Sequence, residues 1–305
     1  MRKKIKKLIN NPSIILLHLL NLDCFKMLSD EKYIKAKYKL YMKRKLNLKN
    51  PKTFNEKLQW LKLYNRNSLH TKLVDKYEVR EHISKIVGKE YLIPLIGVWN
   101  NFEEIDFSKL PNQFVLKCTH DSGGVVICKD KNKLDIEMTR KKINKSLKRN
   151  FYYVGREWPY KNIKAKIICE KLIKTEDGKL PSDYKFHCFN GEVDNVMVCT
   201  ERDTGNPKFF FFDSKWNLLR YNVAGINASK DFTLPEPKKI NEMFRIAKEL
   251  SKGLQFVRVD LYCEEDKIYF GELTFFPQSG FDSNLLTTTD LLFGEKIELK
   301  NKRVI

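Results

Sequence analysis

Four residues near the end of the chain carry the clearest chemistry: Arg258 and Asp260 in one apolar stretch, Glu272 and Thr274 in the next. Strand alternation over 256–262 puts Arg258 and Asp260 on one face and Val257, Val259 and Leu261 on the other. Glu272 and Thr274 share a face of a second strand over 268–274. Register decides whether the two faces coincide. A three-residue loop, Glu265-Asp266-Lys267, pairs Glu264 with Ile268 and sets Asp260 opposite Glu272 and Arg258 opposite Thr274. A two-residue loop would put Gly271 opposite Asp260 and scatter the set. In the first register two carboxylates stand roughly 5 Å apart at Cβ. A divalent cation relieves their repulsion, and oxygen ligands of this kind suit magnesium held together with phosphates. Arg258 would meet phosphate or developing negative charge. The plainer alternative is an exposed hairpin face with an Arg–Glu pair.

Two further stretches can hold a nucleotide. In Lys117-Cys-Thr-His-Asp-Ser-Gly-Gly124, backbone N–H groups around Ser122, Gly123 and Gly124 can cradle phosphate, with Lys117 supplying charge. The setting is strand–loop–strand with no Gly-Lys-Ser/Thr and no following helix, so it is not a Walker loop. An ordinary Gly-Gly hairpin turn explains the same residues. Glu170-Lys-Leu-Ile173 reads as a hinge: a strand leaving one lobe offers backbone groups to an adenine edge, with Leu172 and Ile173 beside the ring. A buried strand ending in an acid is the alternative.

The elements that must position these residues are legible from pattern. A basic helix is predicted over 32–49, broken by Asn50-Pro51-Lys52-Thr53. Thr53 with Glu56 forms a capping-box signature for a helix over 54–64. Another helix is predicted over 72–87, containing Asp75-Lys76 and ending near Gly88. Strands follow at 114–117, 125–127, 166–170 and 208–212, and a hairpin around Asn190-Gly191. The helix over 239–250 shows one apolar face of Ile240, Met243, Phe244, Ala247 and Leu250. Antiparallel hairpins with a few helices imply an α+β fold of more than one lobe.

Composition narrows the function classes. The chain has 305 residues, of which 42% are hydrophobic, so a sizeable core is expected rather than disorder. Net charge is +20, and residues 1–50 hold fourteen Lys or Arg against three acids. The remainder suits a protein handling polyanions. The basic residues are not interleaved with aromatics on a reading platform, so a specific nucleic-acid partner is not expected. Seven cysteines, an odd number with no C-x-x-C pair, argue against a disulfide framework or zinc site and for a reducing, cytoplasmic compartment. Residues 1–25 combine a basic start with Ser13-Ile-Ile-Leu-Leu-His-Leu-Leu-Asn-Leu22. That run lacks a cleavage site and falls short of the ~20 apolar residues of a spanning helix. A basic amphipathic helix on an anionic inner-membrane surface and a helix packed on the domain both fit.

Taken in order, Asp75-Lys76, Val115-Leu-Lys117, Ser122-Gly-Gly124, Glu170-Lys-Leu-Ile173, Lys185, Arg258-x-Asp260 and Glu272-x-Thr274 resemble the ATP-grasp superfamily. Asn50-Pro-Lys-Thr-Phe-Asn-Glu-Lys-Leu-Gln-Trp60, Lys117 to Gly124 and Gly271-Glu-Leu-Thr-Phe275 look like its TupA-like family, named for teichuronopeptide synthesis. The resemblance implies two antiparallel-sheet lobes gripping ATP: a basic helical extension (1–50), a helical α-β lobe (51–100), a lid lobe (101–174) and a catalytic lobe (175–305). It implies that Lys76 and Lys117 bind ATP phosphates and that Ser122, Gly123 and Gly124 form the phosphate lid. Glu170 and the backbone of Lys171, Leu172 and Ile173 would hold adenine, with Glu176 or Asp177 near the ribose. Lys185 would contact the γ-phosphate, Arg258 would stabilise the transition state, and Asp260 and Glu272 would bind Mg2+. The superfamily often has Asn where Thr274 stands, and a hydroxyl is a poorer ligand than an amide oxygen, so Asp282 or Asn284 is the alternative ligand to Thr274. The implied reaction is ATP-dependent ligation of a carboxylate to an amine through an acyl phosphate. The implied setting is cell-surface polysaccharide synthesis, with a uronic acid or an amino acid as substrate. The rival reading is a glycosyltransferase of polysaccharide assembly, whose usual Asp-x-Asp metal motif is absent: Ser182-Asp183-Tyr184 and Val259-Asp260-Leu261 each offer one acid.

Overall fold

Thr53 starts the helix on which much of the molecule is hung. In the structure, a computed structural model describing residues 12–20, 22–175, 178–201 and 207–299, its hydroxyl accepts from the Glu56 amide and the Glu56 carboxylate accepts from the Thr53 amide. This capping box opens the helix Phe54–Tyr64 as predicted. Before it come Pro12–Leu19 (α1) and Asp30–Met42 (α2), so Phe54–Tyr64 is α3. The predicted basic helix stops at Met42, where Lys43 takes a left-handed φ of 57°. The single helix expected over 72–87 is two, Ser68–Val74 (α4) and Val79–Ile86 (α5). Asp75 causes the break: its carboxylate takes the amides of Tyr77 (2.8 Å) and Glu78 (3.0 Å), donors that a continuous helix needs.

Two antiparallel sheets follow. The smaller has the order β1-β4-β2-β3, with β1 Leu95–Trp99, β2 Phe114–Cys118, β3 Val125–Cys128 and β4 Ile167–Lys171. Its core joins Phe114, Leu116, Cys118, Ile167 and Cys169 to Ile143 of the helix Ile136–Leu147 (α6). The larger has the order β10-β9-β5-β6-β7-β8. Its strands are β5 Asp183–Phe189, β6 Glu192–Thr200, β7 Lys208–Phe212, β8 Leu218–Leu219, β9 Phe256–Glu264 and β10 Lys267–Thr274. Asn190 and Gly191, both at positive φ, turn β5 into β6 as expected. One face of this sheet, including Phe186, Cys188, Val257, Val259 and Leu261, is sealed by Met243, Ile246, Ala247 and Leu250 of the predicted long helix. Each such buried aliphatic or aromatic side chain contributes about 1.5–3 kcal/mol. The opposite face is left for chemistry. All seven cysteines are free thiols, and Cys118, Cys128, Cys169, Cys188 and Cys199 are buried.

The β9–β10 turn departs from the expected loop. Lys267 pairs with Glu264, so the loop has only two residues, Glu265 (φ 49°) and Asp266 (φ 57°), in the left-handed conformations of a primed hairpin turn. Left alone, that register would oppose Gly271 to Asp260. A β-bulge between Phe270 and Glu272 leaves Gly271 out of the pairing and restores Glu272↔Asp260 and Thr274↔Arg258. Glycine suits the close approach there: a Cβ would lie 3.0 Å from the Asp260 carbonyl oxygen and 3.1 Å from the Tyr262 ring, so either neighbour would have to give way. The expected pairing of the site residues therefore holds, but for a different reason.

After β10 the chain makes a tight excursion through Pro277–Gly280, with Gln278 (φ 50°) and Ser279 (φ 51°) left-handed, at a cost of about 1–3 kcal/mol each. Asn55, Gln59 and Lys62, spaced along one face of α3 and fully buried, hold this excursion. Gln59 Nε2 donates to the carbonyls of Gly280 (2.5 Å) and Ser279 (3.2 Å). Lys62 Nζ donates to those of Ser279 (2.6 Å) and Gly155 (2.7 Å). Asn55 accepts the Asp282 amide (2.7 Å) and donates to the Asp282 carbonyl (3.1 Å) and to Asp290 (2.9 Å), on the helix Thr287–Lys296.

Candidate active site

Cross-strand register arranges the open face of the large sheet in two rows. The first runs Glu272–Asp260–Lys185–Met197–Phe211 across β10, β9, β5, β6 and β7. The second runs Thr274–Arg258–His187–Asn195. Arg258 grips Asp260 with two hydrogen bonds, Nε to Oδ1 and Nη2 to Oδ2, both 2.6 Å. Lys185 Nζ reaches Asp260 Oδ2 and Asp183 Oδ2, each at 2.5 Å. Burial alone would favour neutral forms. It is outweighed at Asp260 by Arg258 and then Lys185, which hold its carboxyl below the usual range, and at Lys185 and Arg258 by Asp260, which raises both. The group is a charged cluster, not a set of neutralised side chains.

Between the sheets lies a cavity of about 310 Å³. The large sheet gives it Lys185, Asp260 and Glu272; the small-sheet side gives Lys76, Lys117 and Ser122; the segment leaving β4 gives Lys171, Leu172 and Ile173. Nine residues singled out in the sequence thus meet around one space, with apolar Ile93, Val115 and Ile127 beside them. The others stand elsewhere. Arg258 and Thr274 sit one row further along the sheet. Asp177 and Glu176 lie outside the described residues. Asp282 and Asn284 line a separate small cleft that Arg258 shares and that Asp260 and Glu272 do not line.

Glu170 is not open to a ligand. It is buried beneath Lys117 (2.7 Å) and Arg80 (2.9 Å), where it aims Lys117 into the cavity. The glycine loop is also partly self-satisfied. Asp121, buried, accepts the Gly124 amide (3.0 Å) and the Ser146 hydroxyl, while Ser122 and Gly123 are exposed. Lys76 follows the Asp75 helix break and spends its Nζ on the Asp121 carbonyl (2.6 Å), bracing the loop from below.

The donors fit magnesium arriving with a polyphosphate. Asp260 keeps 3% of its side chain exposed and Glu272 41%, so Glu272 is the accessible partner. The Thr274 hydroxyl donates to Glu272 (3.1 Å) and accepts from Arg258 (3.1 Å), which makes it a brace between the two. Among the described residues no three His, Cys, Asp or Glu side chains converge on a metal position, and magnesium takes one or two carboxylates plus phosphate oxygens and waters.

Sequence reasoning missed Arg80, Asp121, His187 and the α3 face of Asn55, Gln59 and Lys62. The alternation that exposed Arg258 and Asp260 also links Asp183, Lys185 and His187, and helical spacing links the α3 trio.

Comparison with protein families places the chain in the ATP-grasp class. The matching family is the TupA-like ATP-grasp family, over residues 56–298, and the chain belongs to it. No curated protein matches. Similar solved structures include D-alanine–D-alanine ligase from Bacillus anthracis, with 16% identity, a TM-score of 0.43 and coverage of 79% of this chain and 64% of that one. An L-amino acid ligase from Bacillus licheniformis gives 14%, 0.44, 74% and 49% for the same quantities. The chain spans less than two thirds of the length of either.

Proposed function

We propose that the chain is an ATP- and magnesium-dependent carboxylate–amine ligase. The observation that carries this reading is the charged row Glu272–Asp260–Lys185 facing Lys76 and Lys117 across a cavity that also has an apolar strip of Ile93, Val115, Ile127, Leu172 and Ile173. Leu172 and Ile173 would flank the adenine, and Lys76, Lys117 and Lys185 would meet the phosphates. Magnesium, held by Asp260 and Glu272 with phosphate oxygens, would supply charge neutralisation. A carboxylate oxygen attacks the γ-phosphorus and ADP departs. An amine nitrogen then attacks the acyl carbon and phosphate leaves. Arg258, kept cationic beside Asp260, opposes the negative charge that develops in both steps.

Membership of the TupA-like family supports a uronic acid or an amino acid as the carboxylate, within cell-surface polysaccharide synthesis. Peripheral contact with an anionic membrane through residues 1–25 is supported by exposed Ile15, Leu16, Leu19 and Leu22 beside a basic segment. Among the described residues no helix is long and apolar enough to cross a membrane.

The test is ADP and phosphate release from ATP with a panel of uronic acids, amino acids and amines, repeated with Asp260→Ala and Glu272→Ala. Carboxylate-dependent release lost in both variants supports the assignment. Release unchanged in both overturns it, as does turnover of a sugar nucleotide without ATP. For the membrane contact, deletion of residues 1–25 is expected to weaken sedimentation with anionic liposomes; unchanged sedimentation counts against it.

A further inference from the structure

His187 has no role in the chemistry above, yet it occupies the second row of the site directly opposite Arg258. It is 4% exposed and lines the small cleft, about 40 Å³, that also carries Arg258, Gln278 and Asp282. Its tautomer is dictated by its neighbours. Lys296 pairs with Asp194 (2.7 Å), and Asp194, an acceptor only, takes a hydrogen from Asn195 Nδ2 (2.9 Å). Asn195 must then present Oδ1 to the imidazole, so His187 Nδ1 carries the hydrogen and donates it at 3.0 Å. Nε2 is left with a lone pair and, among the described residues, no partner.

We propose that His187 Nε2 is a fixed hydrogen-bond acceptor that holds and aims an N–H of the amine substrate, whose head enters this small cleft beside Arg258. The proposal rests on the ligase reading. Two side chains with acceptor capacity line this cleft, His187 through Nε2 and Asp282 through the oxygen not taken by the Asn284 amide, and together they suit the two hydrogens of a primary amine. The volume takes the head of a ligand, not a whole one. Burial and the adjacent Arg258 push the His187 pKa down to about 4, so the ring stays neutral and does not carry the proton away. In the step itself the nitrogen lone pair forms the C–N bond. The C–O bond to phosphate breaks with its electron pair going to phosphate. The surplus proton on nitrogen also goes to the departing phosphate, which leaves with the electron pair of the broken bond and is a far stronger base than this imidazole.

The experiment separates the two half-reactions in the full-length protein. Carboxylate-dependent scrambling of 18O from the β,γ-bridge of ATP reads the first step without any amine. Amide formed from methylamine, followed by mass spectrometry, reads the second. His187→Leu is expected to keep the scrambling within about twofold and to raise the KM for methylamine about tenfold or more. His187→Gln, which returns an acceptor oxygen near the Nε2 position, should recover most of that loss. Asn195→Leu, which releases the tautomer, should fall between them, and it reads the same split should His187→Leu fail to fold. An unchanged methylamine KM in both Leu variants overturns the proposal. Equal loss of scrambling and amide formation in the Leu and Gln variants at His187 also overturns it, because that marks a merely structural residue. Absence of carboxylate-dependent scrambling in the unaltered protein overturns the ligase reading and this one with it.

Discussion

The two walls of the cavity between the sheets are built on opposite principles. On the large-sheet wall, Lys185, Asp260 and Glu272, with Arg258 one row behind them, are placed by strand register and locked to one another at 2.5–3.4 Å, with Asp260 almost wholly buried. On the small-sheet wall, Lys117 is tied to Glu170, Lys76 to the loop carbonyl of Asp121, and Ser122 and Gly123 are exposed. One wall holds its charges against each other before any ligand arrives, in the manner of a preorganised site. The other keeps its cations on internal partners, and a phosphate has to compete for them. Rate should therefore depend steeply on the first wall and nucleotide affinity mildly on the second.

The sharpest way to break that contrast is Asp260→Asn. It removes the proposed metal ligand and the partner of two buried cations, so a fall in kcat of about 10³ is expected, with destabilisation of about 3–5 kcal/mol. ADP production and urea unfolding measure the two, and activity within tenfold of the unaltered protein would contradict the preorganised wall. Next is Gly271→Val. A side chain at the bulge must push on the Asp260 backbone, so activity should drop about 10²-fold while circular dichroism stays native. Unchanged kinetics would show that the bulge does not set the Glu272–Asp260 pairing. Gln59→Leu follows. It strips the donor from the buried Gly280 carbonyl and leaves that of Ser279 to Lys62 alone, and should cost about 2 kcal/mol of stability and less activity than Gly271→Val, read from a melting curve and the same assay.

Lys62 gives a pH test. Burial pushes its pKa down to about 7, from an ordinary 10.5. Between those values the unfolded chain binds the proton and the folded chain does not, so the Lys62 contribution makes stability rise with pH from about 7 to 10.5. Glu157, pushed up by its own burial, gives the opposite slope, beginning at its ordinary 4.5. Lys62→Met should flatten the alkaline rise in melting temperature; an unchanged slope above neutrality would refute it. The smallest effect is assigned to Ser122→Ala on the loop wall: a KM for ATP raised by no more than about threefold. A loss as deep as that of Asp260→Asn would erase the distinction between the walls.

Much of this was legible before the structure. Period-two alternation found the faces of β9 and β10, and helical periodicity found the helix over 240–251, because both patterns are local. The capping box at Thr53 was legible for the same reason. What failed was wherever a side chain competed with the backbone. Asp75 split one predicted helix into two by taking amides, and the Gly271 bulge reversed the consequence of a two-residue turn. The pairing of Glu170 with Arg80 was not legible, because nothing local says that a residue ninety positions earlier will arrive beside it. His187 was hidden for a like reason: its role depends on Asn195, across a hairpin, and on Arg258, from a distant strand.

The trio on α3 has a consequence for how the molecule is made. Asn55 and Asp290 are 235 residues apart, and the strained turn at Gln278 and Ser279 is fastened by groups synthesised more than two hundred residues earlier. During translation the helix that grips this turn emerges long before the turn exists. Its buried amides and ammonium must then wait, solvated and unpaired, while both sheets assemble. Contacts so distant along the chain form slowly. The cleft beside Arg258 should be among the last features to take shape, so the scaffold can be folded before it is competent.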